Sequence, residues 1–140
     1  MKDLVLKHFN KLITEKSFKL CEGKFSSLIH QTVVIKNQLI EFSFELDNRT
    51  KDFWVTVGLK INGESPAALD ENNVINIDFF LTQLDGDFKS CNSSLALEER
   101  LSLYSSLIGK YFDTLISPSD EIIKKAIKLR EKHFQASLGS

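Results

Sequence analysis

The chain contains few of the residues from which metal centres and nucleophile sites are built. It has three histidines and two cysteines in 140 residues. No two histidines have the spacing of a metal-ligand pair, and neither a Cys-x-x-Cys nor a His-Glu-x-x-His sequence occurs. The six glycines are too scattered for a phosphate-binding loop. We therefore predict no metal site, no cofactor and no catalytic residue.

Long apolar runs and an excess of charge of one sign are also absent. The apolar runs are only a few residues long, whereas about 20 are needed to cross a bilayer. Lys plus Arg (18) nearly balance Asp plus Glu (19), so long-range attraction to nucleic acid or anionic lipid is not expected. Charges fall within residues 1–9, where a signal peptide would be apolar. These features predict a cytoplasmic protein that binds neither nucleic acid nor membranes.

The strongest pattern in the chain is an alternation of apolar and polar residues between Gln38 and Asn62. A period of two, broken by the polar segment 47–52, predicts two antiparallel strands with one buried and one wet face. Placing Leu46 opposite Phe53 gives each apolar residue an apolar partner, and a slip of one residue would break all of these pairs. The residues predicted to face inward are Ile40, Phe42, Phe44, Leu46, Phe53, Val55, Val57, Leu59 and Ile61.

Further strands are predicted around this pair, at residues 17–21, 25–35 and 74–84. In the second of them, Ile29 and Val33 are expected on the core side. A two-residue hairpin turn at Asn37-Gln38 would place Val33 opposite Phe42 and Ile29 opposite Leu46.

Helical spacing predicts one helix at residues 2–16, a second at 95–116, and a third that begins at Ser117-Pro118, with Ser117 as its N-cap. This order predicts an α+β fold: an antiparallel four- to five-stranded meander sheet with an N-terminal helix and two C-terminal helices packed on one face. Residues 1–135 are expected to form a single domain, and residues 136–140 a frayed C-terminal tail.

The outer face of the predicted sheet offers the best candidate for a binding surface. Trp54 would lie directly across from Glu45 on this polar face. Trp is the residue most enriched at the energetic centres of protein interfaces, although a single surface Trp is often only packed against its neighbours. Phe80 would add a second exposed aromatic ring if its strand joined the same sheet. The predicted partner-binding residues are Trp54, Glu45, Glu41, Thr56, Lys60 and Phe80.

Several segments resemble an uncharacterised bacterial family. Phe18 and Phe25 bracket Gly23, and the strands Leu-Ile-Glu-Phe-Ser-Phe (39–44) and Phe-Trp-Val-Thr-Val-Gly (53–58) follow. This layout resembles the domain of unknown function 4304 family, whose members have a Phe-x-Val-x-hydrophobic-Gly strand and helices that close the chain. The resemblance implies an α+β fold and no established activity. Small bacterial domains of this kind suggest, by analogy, an immunity-like binding role.

These observations favour a non-enzymatic bacterial protein-binding module, immunity- or adaptor-like, that holds one protein partner on its outer sheet face as a monomer or weak homodimer. One alternative is a secretion-type chaperone that forms a homodimer through Leu103, Leu107 and Tyr111. Another is a small enzyme that uses Cys91, whose thiolate a helix start could stabilise. Otherwise Cys91 and Cys21 are expected to be free thiols.

Overall fold

The computed structural model describes residues 1–22, 29–59, 74–89 and 95–138. These residues form an N-terminal helix, an antiparallel sheet and C-terminal helices, which confirms the predicted α+β fold. The elements run in the order α1 (Lys2–Glu15), β1 (Lys19–Glu22), β2 (His30–Lys36), β3 (Ile40–Asp47), β4 (Phe53–Leu59), β5 (Val74–Asn76), α2 (Asp78–Leu84), α3 (Leu97–Lys110), α4 (Phe112–Ile116) and α5 (Asp120–Leu138).

The sheet is a five-stranded meander in which each strand pairs antiparallel with the next one along the chain. The predicted register of β3 and β4 is confirmed, because Leu46 lies opposite Phe53 and Glu45 lies opposite Trp54. Burial alternates residue by residue along β3. The alternation in the sequence therefore reports the two faces of the sheet correctly.

The predicted register of β2 and β3 is wrong by two residues, since Val33 lies opposite Phe44 rather than Phe42. Lys36 lies opposite Glu41, so the turn is centred on Gln38 and Leu39 instead of Asn37 and Gln38, and it is closed by a hydrogen bond from the Asn37 N–H to the Ile40 carbonyl at 3.1 Å. A shift of two residues leaves every side chain on the same face. The inward-facing residues of β2 and β3 are therefore the same in the predicted and the observed register. Ile29, expected inside and opposite Leu46, is 48% exposed just before β2 begins.

The strand predicted at residues 74–84 is also wrong beyond its first three residues. Asn76 ends β5, and its side-chain oxygen accepts a hydrogen bond from the Asp78 N–H at 2.9 Å, where α2 begins. Ile77, Phe80 and Leu81 are buried at spacings of three and four, which is the period of a helix. Because the chain turns helical here, Phe80 is only 4% exposed and does not reach the outer face of the sheet.

The core lies between one face of the sheet and the helices. Phe9 of α1 packs edge-on against Phe44, with ring centroids 4.8 Å apart. Tyr104 of α3 contacts Phe53, with centroids 6.0 Å apart, and its hydroxyl donates a 2.6 Å hydrogen bond to Asp78. Since the helices share the core with the inward-facing side chains of β2, β3 and β4, the opposite face of the sheet stays outside it.

The helix predicted at residues 95–116 is interrupted at Tyr111, which separates α3 from α4. The Tyr111 hydroxyl donates a hydrogen bond to Asp85 at 3.0 Å, so this ring is tied to the segment that follows α2. Leu107 is buried, and Leu103 and Tyr111 pack against the core. The apolar surface named for a chaperone-like homodimer is therefore partly buried within the chain, through Leu107 most of all.

The predicted N-cap of the last helix is wrong by two residues. Ser119, and not Ser117, accepts the hydrogen bond from the Ile122 N–H at 3.3 Å, immediately before α5 begins. Helix α5 packs on α2, and the Gln83 side chain donates to the Ile122 carbonyl at 3.1 Å. The helix continues through residues 136–138, the first part of the expected tail.

Candidate functional site

The face of the sheet that points away from the helices is called the outer face here. None of its apolar side chains belongs to the hydrophobic core in the described part of the chain. The strand registers align its residues in rows that run from β1 to β5. The outer face consists of Lys19 and Cys21 on β1, His30, Thr32, Val34 and Lys36 on β2, Glu41, Ser43, Glu45 and Asp47 on β3, Trp54, Thr56 and Gly58 on β4, and Val74 and Asn76 on β5.

Three of these side chains form a connected group, which we call the Trp54 cluster: Trp54, Glu45 and His30. The indole Nε1 of Trp54 donates to Glu45 Oε2 at 2.8 Å. His30 Nε2 lies 3.3 Å from Glu45 Oε1. The His30 and Trp54 rings are in contact, with centroids 5.4 Å apart and an angle of 48° between the planes. One carboxylate therefore holds both rings in fixed positions on the surface of the sheet.

The Trp54 cluster is partly open to solvent. The side chains of His30 and Glu45 are 26% and 25% exposed, and Trp54 is half-buried. The carboxylate oxygens of Glu45 can each accept a further hydrogen bond, since each has two lone pairs. The cluster can thus offer an aromatic surface and a hydrogen-bond acceptor to the same ligand.

Strand β3 carries a line of carboxylates along the outer face, from Glu41 through Glu45 to Asp47. The backbone N–H groups of Arg49 and Thr50 donate to Asp47 at 2.8 and 3.2 Å. These bonds, with the nearby Arg49 guanidinium, lower the pKa of Asp47 and keep it ionised at neutral pH. Asp47 already accepts hydrogen bonds from the turn that follows β3. Glu45 is therefore the carboxylate best placed to accept a hydrogen bond from a ligand.

Glu41 occupies the other end of this line, opposite Lys36 on one side and Gly58 on the other. Its Oε1 atom is buried and has no hydrogen-bond partner in the described residues. A buried polar atom without a partner costs about 1–3 kcal/mol. Glu41 is therefore held on this face at a cost to stability.

The structure brings four of the six predicted partner-binding residues together. Trp54, Glu45, Glu41 and Thr56 share the outer face, with Trp54 directly across from Glu45 as predicted. Phe80 does not join them, because it is buried in α2. Lys60 lies outside the described residues.

His30 is the member of the cluster that sequence reasoning missed as a functional residue. The feature that could have identified His30 is the register of β2 and β3, in which His30 lies opposite Asp47 and Thr32 lies opposite Glu45. His30 is thus the diagonal neighbour of Glu45, a distance of about 7–8 Å between backbones that a long side chain can span.

Other chemistry is sparse in the part of the chain that the structure describes. There, no three His, Cys, Asp or Glu side chains are grouped closely enough to hold a metal ion. Cys21 carries a free thiol on the outer face, and Cys91 lies outside the described residues. Among the described helices, none has the length and apolar character to cross a membrane.

The chain matches no protein-family model, no curated protein and no solved structure. The resemblance to the domain of unknown function 4304 family therefore stays a prediction. Any function has to be argued from the geometry of the outer face itself.

Proposed function

We propose that the protein is a non-enzymatic binding module, adaptor- or immunity-like, that holds one protein partner against its outer face. The observation that carries the proposal is the placement of Trp54. It is a large aromatic side chain outside the core, fixed by a 2.8 Å hydrogen bond to Glu45 and by contact with the His30 ring.

This arrangement is suited to binding because little conformational freedom remains to be lost. Ordering a mobile side chain at an interface costs about 0.5–1.5 kcal/mol. The indole of Trp54 is already oriented by Glu45 and His30, so a partner meets it in one position. Such rigid aromatic groups dominate the energetics of protein interfaces.

The charges around Trp54 indicate the chemistry of the partner. Glu45 lies beside the indole ring, and Asp47 follows on the same face of β3. A guanidinium group can stack on the indole and donate to the Glu45 carboxylate at the same time. The partner that fits best therefore presents an arginine, set in a surface that is basic overall.

The test begins with capture of the partner from a lysate of the source organism, by the wild-type chain and by Trp54→Ala. Phe134→Ala is the matched control, because Phe134 is also a surface aromatic, 62% exposed, on α5. The captured protein is then purified and titrated against each variant. We expect Trp54→Ala to weaken binding by about thirty-fold or more, as for a residue worth about 2 kcal/mol at an interface.

The chain contains a single Trp, so its fluorescence reports directly on the proposed contact. Binding at the outer face should shift the Trp emission of the wild-type chain and of Phe134→Ala alike. A partner that binds Trp54→Ala as tightly as the wild-type chain, or that leaves the emission unchanged, would remove this face from the function.

A further inference from the structure

A cleft of about 650 Å³ lies at the corner where α1 ends, β1 begins and the β2–β3 turn projects. Three lysines line it: Lys16, Lys19 and Lys36. None of the described residues that line the cleft is acidic. Its volume is within the range of about 300–1,000 Å³ that is usual for small-ligand sites.

Two of these lysines face each other across neighbouring strands. Lys19 of β1 is the direct partner of Lys36 on β2, which places their Cβ atoms about 4.5–5.5 Å apart. Like charges directly opposite each other destabilise a sheet. In the described part of the chain, neither lysine forms an ion pair that would offset this repulsion.

The walls of the cleft are held in place by local bonds. The Asn37 side chain donates to the Lys16 carbonyl at 3.0 Å, which ties the β2–β3 turn to the end of α1. Ser17 has a φ of 55°, a left-handed conformation that turns the chain sharply from α1 towards β1. The ammonium group of Lys16 lies 5.0 Å from the centre of the Phe112 ring. These contacts fix the backbone on which Lys19 and Lys36 stand side by side, and they place the Lys16 ammonium over the Phe112 ring.

Two negative contributions oppose the lysines. The C-terminus of α1 acts as about half a negative charge, and Glu41 lies opposite Lys36 on β3. Glu41 forms no ion pair with Lys36 among the described contacts. Lys19 and Lys36 stand side by side and none of the described lining residues is acidic, so the cleft carries an excess of positive charge in a chain whose net charge is −1.

We propose that this cleft binds a phosphate-bearing anion. Ammonium groups bind phosphate oxygens as point charges without a planar geometry, and Ser17 and Gln38 on the lining supply neutral donors. A doubly charged anion would relieve the repulsion between Lys19 and Lys36. The site is separate from the Trp54 cluster, because Glu41 and Glu45 are four residues apart on β3, or about 13 Å.

The test is calorimetric titration of the whole chain with inorganic pyrophosphate at low ionic strength. The variant is Lys19→Gln/Lys36→Gln. The control is Lys124→Gln/Lys128→Gln on the exposed side of α5, which removes the same charge elsewhere. We expect saturable binding by the wild-type chain and the control, weakened about ten- to thirty-fold in the cleft variant.

Thermal unfolding gives a second readout that does not depend on affinity alone. Without anion at low salt, the cleft variant should melt higher than the wild-type chain, because the repulsion between Lys19 and Lys36 is gone. With pyrophosphate, the melting temperature of the wild-type chain should rise, and that of the cleft variant should rise much less, because its affinity is lower. A cleft variant that melts lower than the wild-type chain in the absence of anion would contradict the proposal.

Vesicles that contain phosphatidic acid distinguish the source of the phosphate. Pyrophosphate binding that is weakened in the cleft variant assigns the site to a soluble ligand. Binding to the vesicles alone, lost in the same variant, assigns it to a lipid headgroup. The absence of binding in both assays, or an equal loss in the control variant, would overturn the proposal.

Discussion

The hydrogen bond between Trp54 and Glu45 allows a quantitative test of the Trp54 cluster. Trp54→Phe removes the indole N–H and keeps an aromatic ring, while Glu45→Ala removes the acceptor. A hydrogen bond to a buried charged group contributes about 1.5–3 kcal/mol. Glu45 is 25% exposed, so the expected coupling is smaller, about 1 kcal/mol. For a chain of this length that corresponds to about 3 °C in melting temperature.

The assay is a double-mutant cycle measured by urea unfolding, with circular dichroism as the probe because Trp54→Phe removes the fluorophore. The cycle cancels the loss of packing area that each single substitution also causes. A second cycle pairs Trp54→Phe with Lys36→Ala, which lies at the far end of the same face and should give additive effects. Coupling energies of the same size in both cycles, or none between Trp54 and Glu45, would refute the reasoning.

Three further predictions concern the core, the outer face and acid stability. Phe44→Ala should lower the free energy of unfolding by about 3–5 kcal/mol in urea titration, because Phe44 is fully buried against Phe9; a loss below about 1 kcal/mol would contradict the packing. Glu41→Met should raise that free energy by about 1 kcal/mol, since it replaces a buried oxygen without a hydrogen-bond partner; a decrease would contradict the account. A hydrogen bond from Tyr111 lowers the pKa of Asp85, so its stabilisation is present at neutral pH and lost as the pH falls through and below 3.8, its ordinary pKa. Urea midpoints measured across this range should fall less steeply in Asp85→Asn, and identical slopes would exclude the effect.

The buried and exposed faces of β3 and β4 were predictable from the sequence, because an alternation with a period of two determines which residues point inward. The pairing of Leu46 with Phe53 was also predictable, since any odd shift would bury polar side chains. An even shift carries no such penalty. The register of β2 therefore depended on the β2–β3 turn, where Asn37 accepts hydrogen bonds from the Leu39 and Ile40 N–H groups at 2.8 and 3.0 Å. The hydrophobic pattern does not determine that this turn is centred on Gln38 and Leu39 rather than on Asn37 and Gln38.

The switch from strand to helix after Asn76 was missed because short apolar runs fit both periods. Ile75 and Ile77 satisfy an alternating pattern, while Ile77, Phe80 and Leu81 satisfy a helical one. The contact that marks the change from strand to helix is the hydrogen bond from the Asp78 N–H to the Asn76 side chain. The alternating pattern of apolar residues does not reveal this local contact. The consequence for the candidate site was direct, since Phe80 entered the core instead of joining Trp54.

Within the described residues, the sheet ends in two short strands, β1 with four residues and β5 with three. Partners that dock by adding a strand need a long row of unpaired backbone groups along an edge. Strands as short as these present few such groups, and natural proteins use short edge strands to prevent edge-to-edge association of sheets. Recognition by this fold is therefore expected to depend on side chains, which ties its specificity to substitutions at a small number of surface positions.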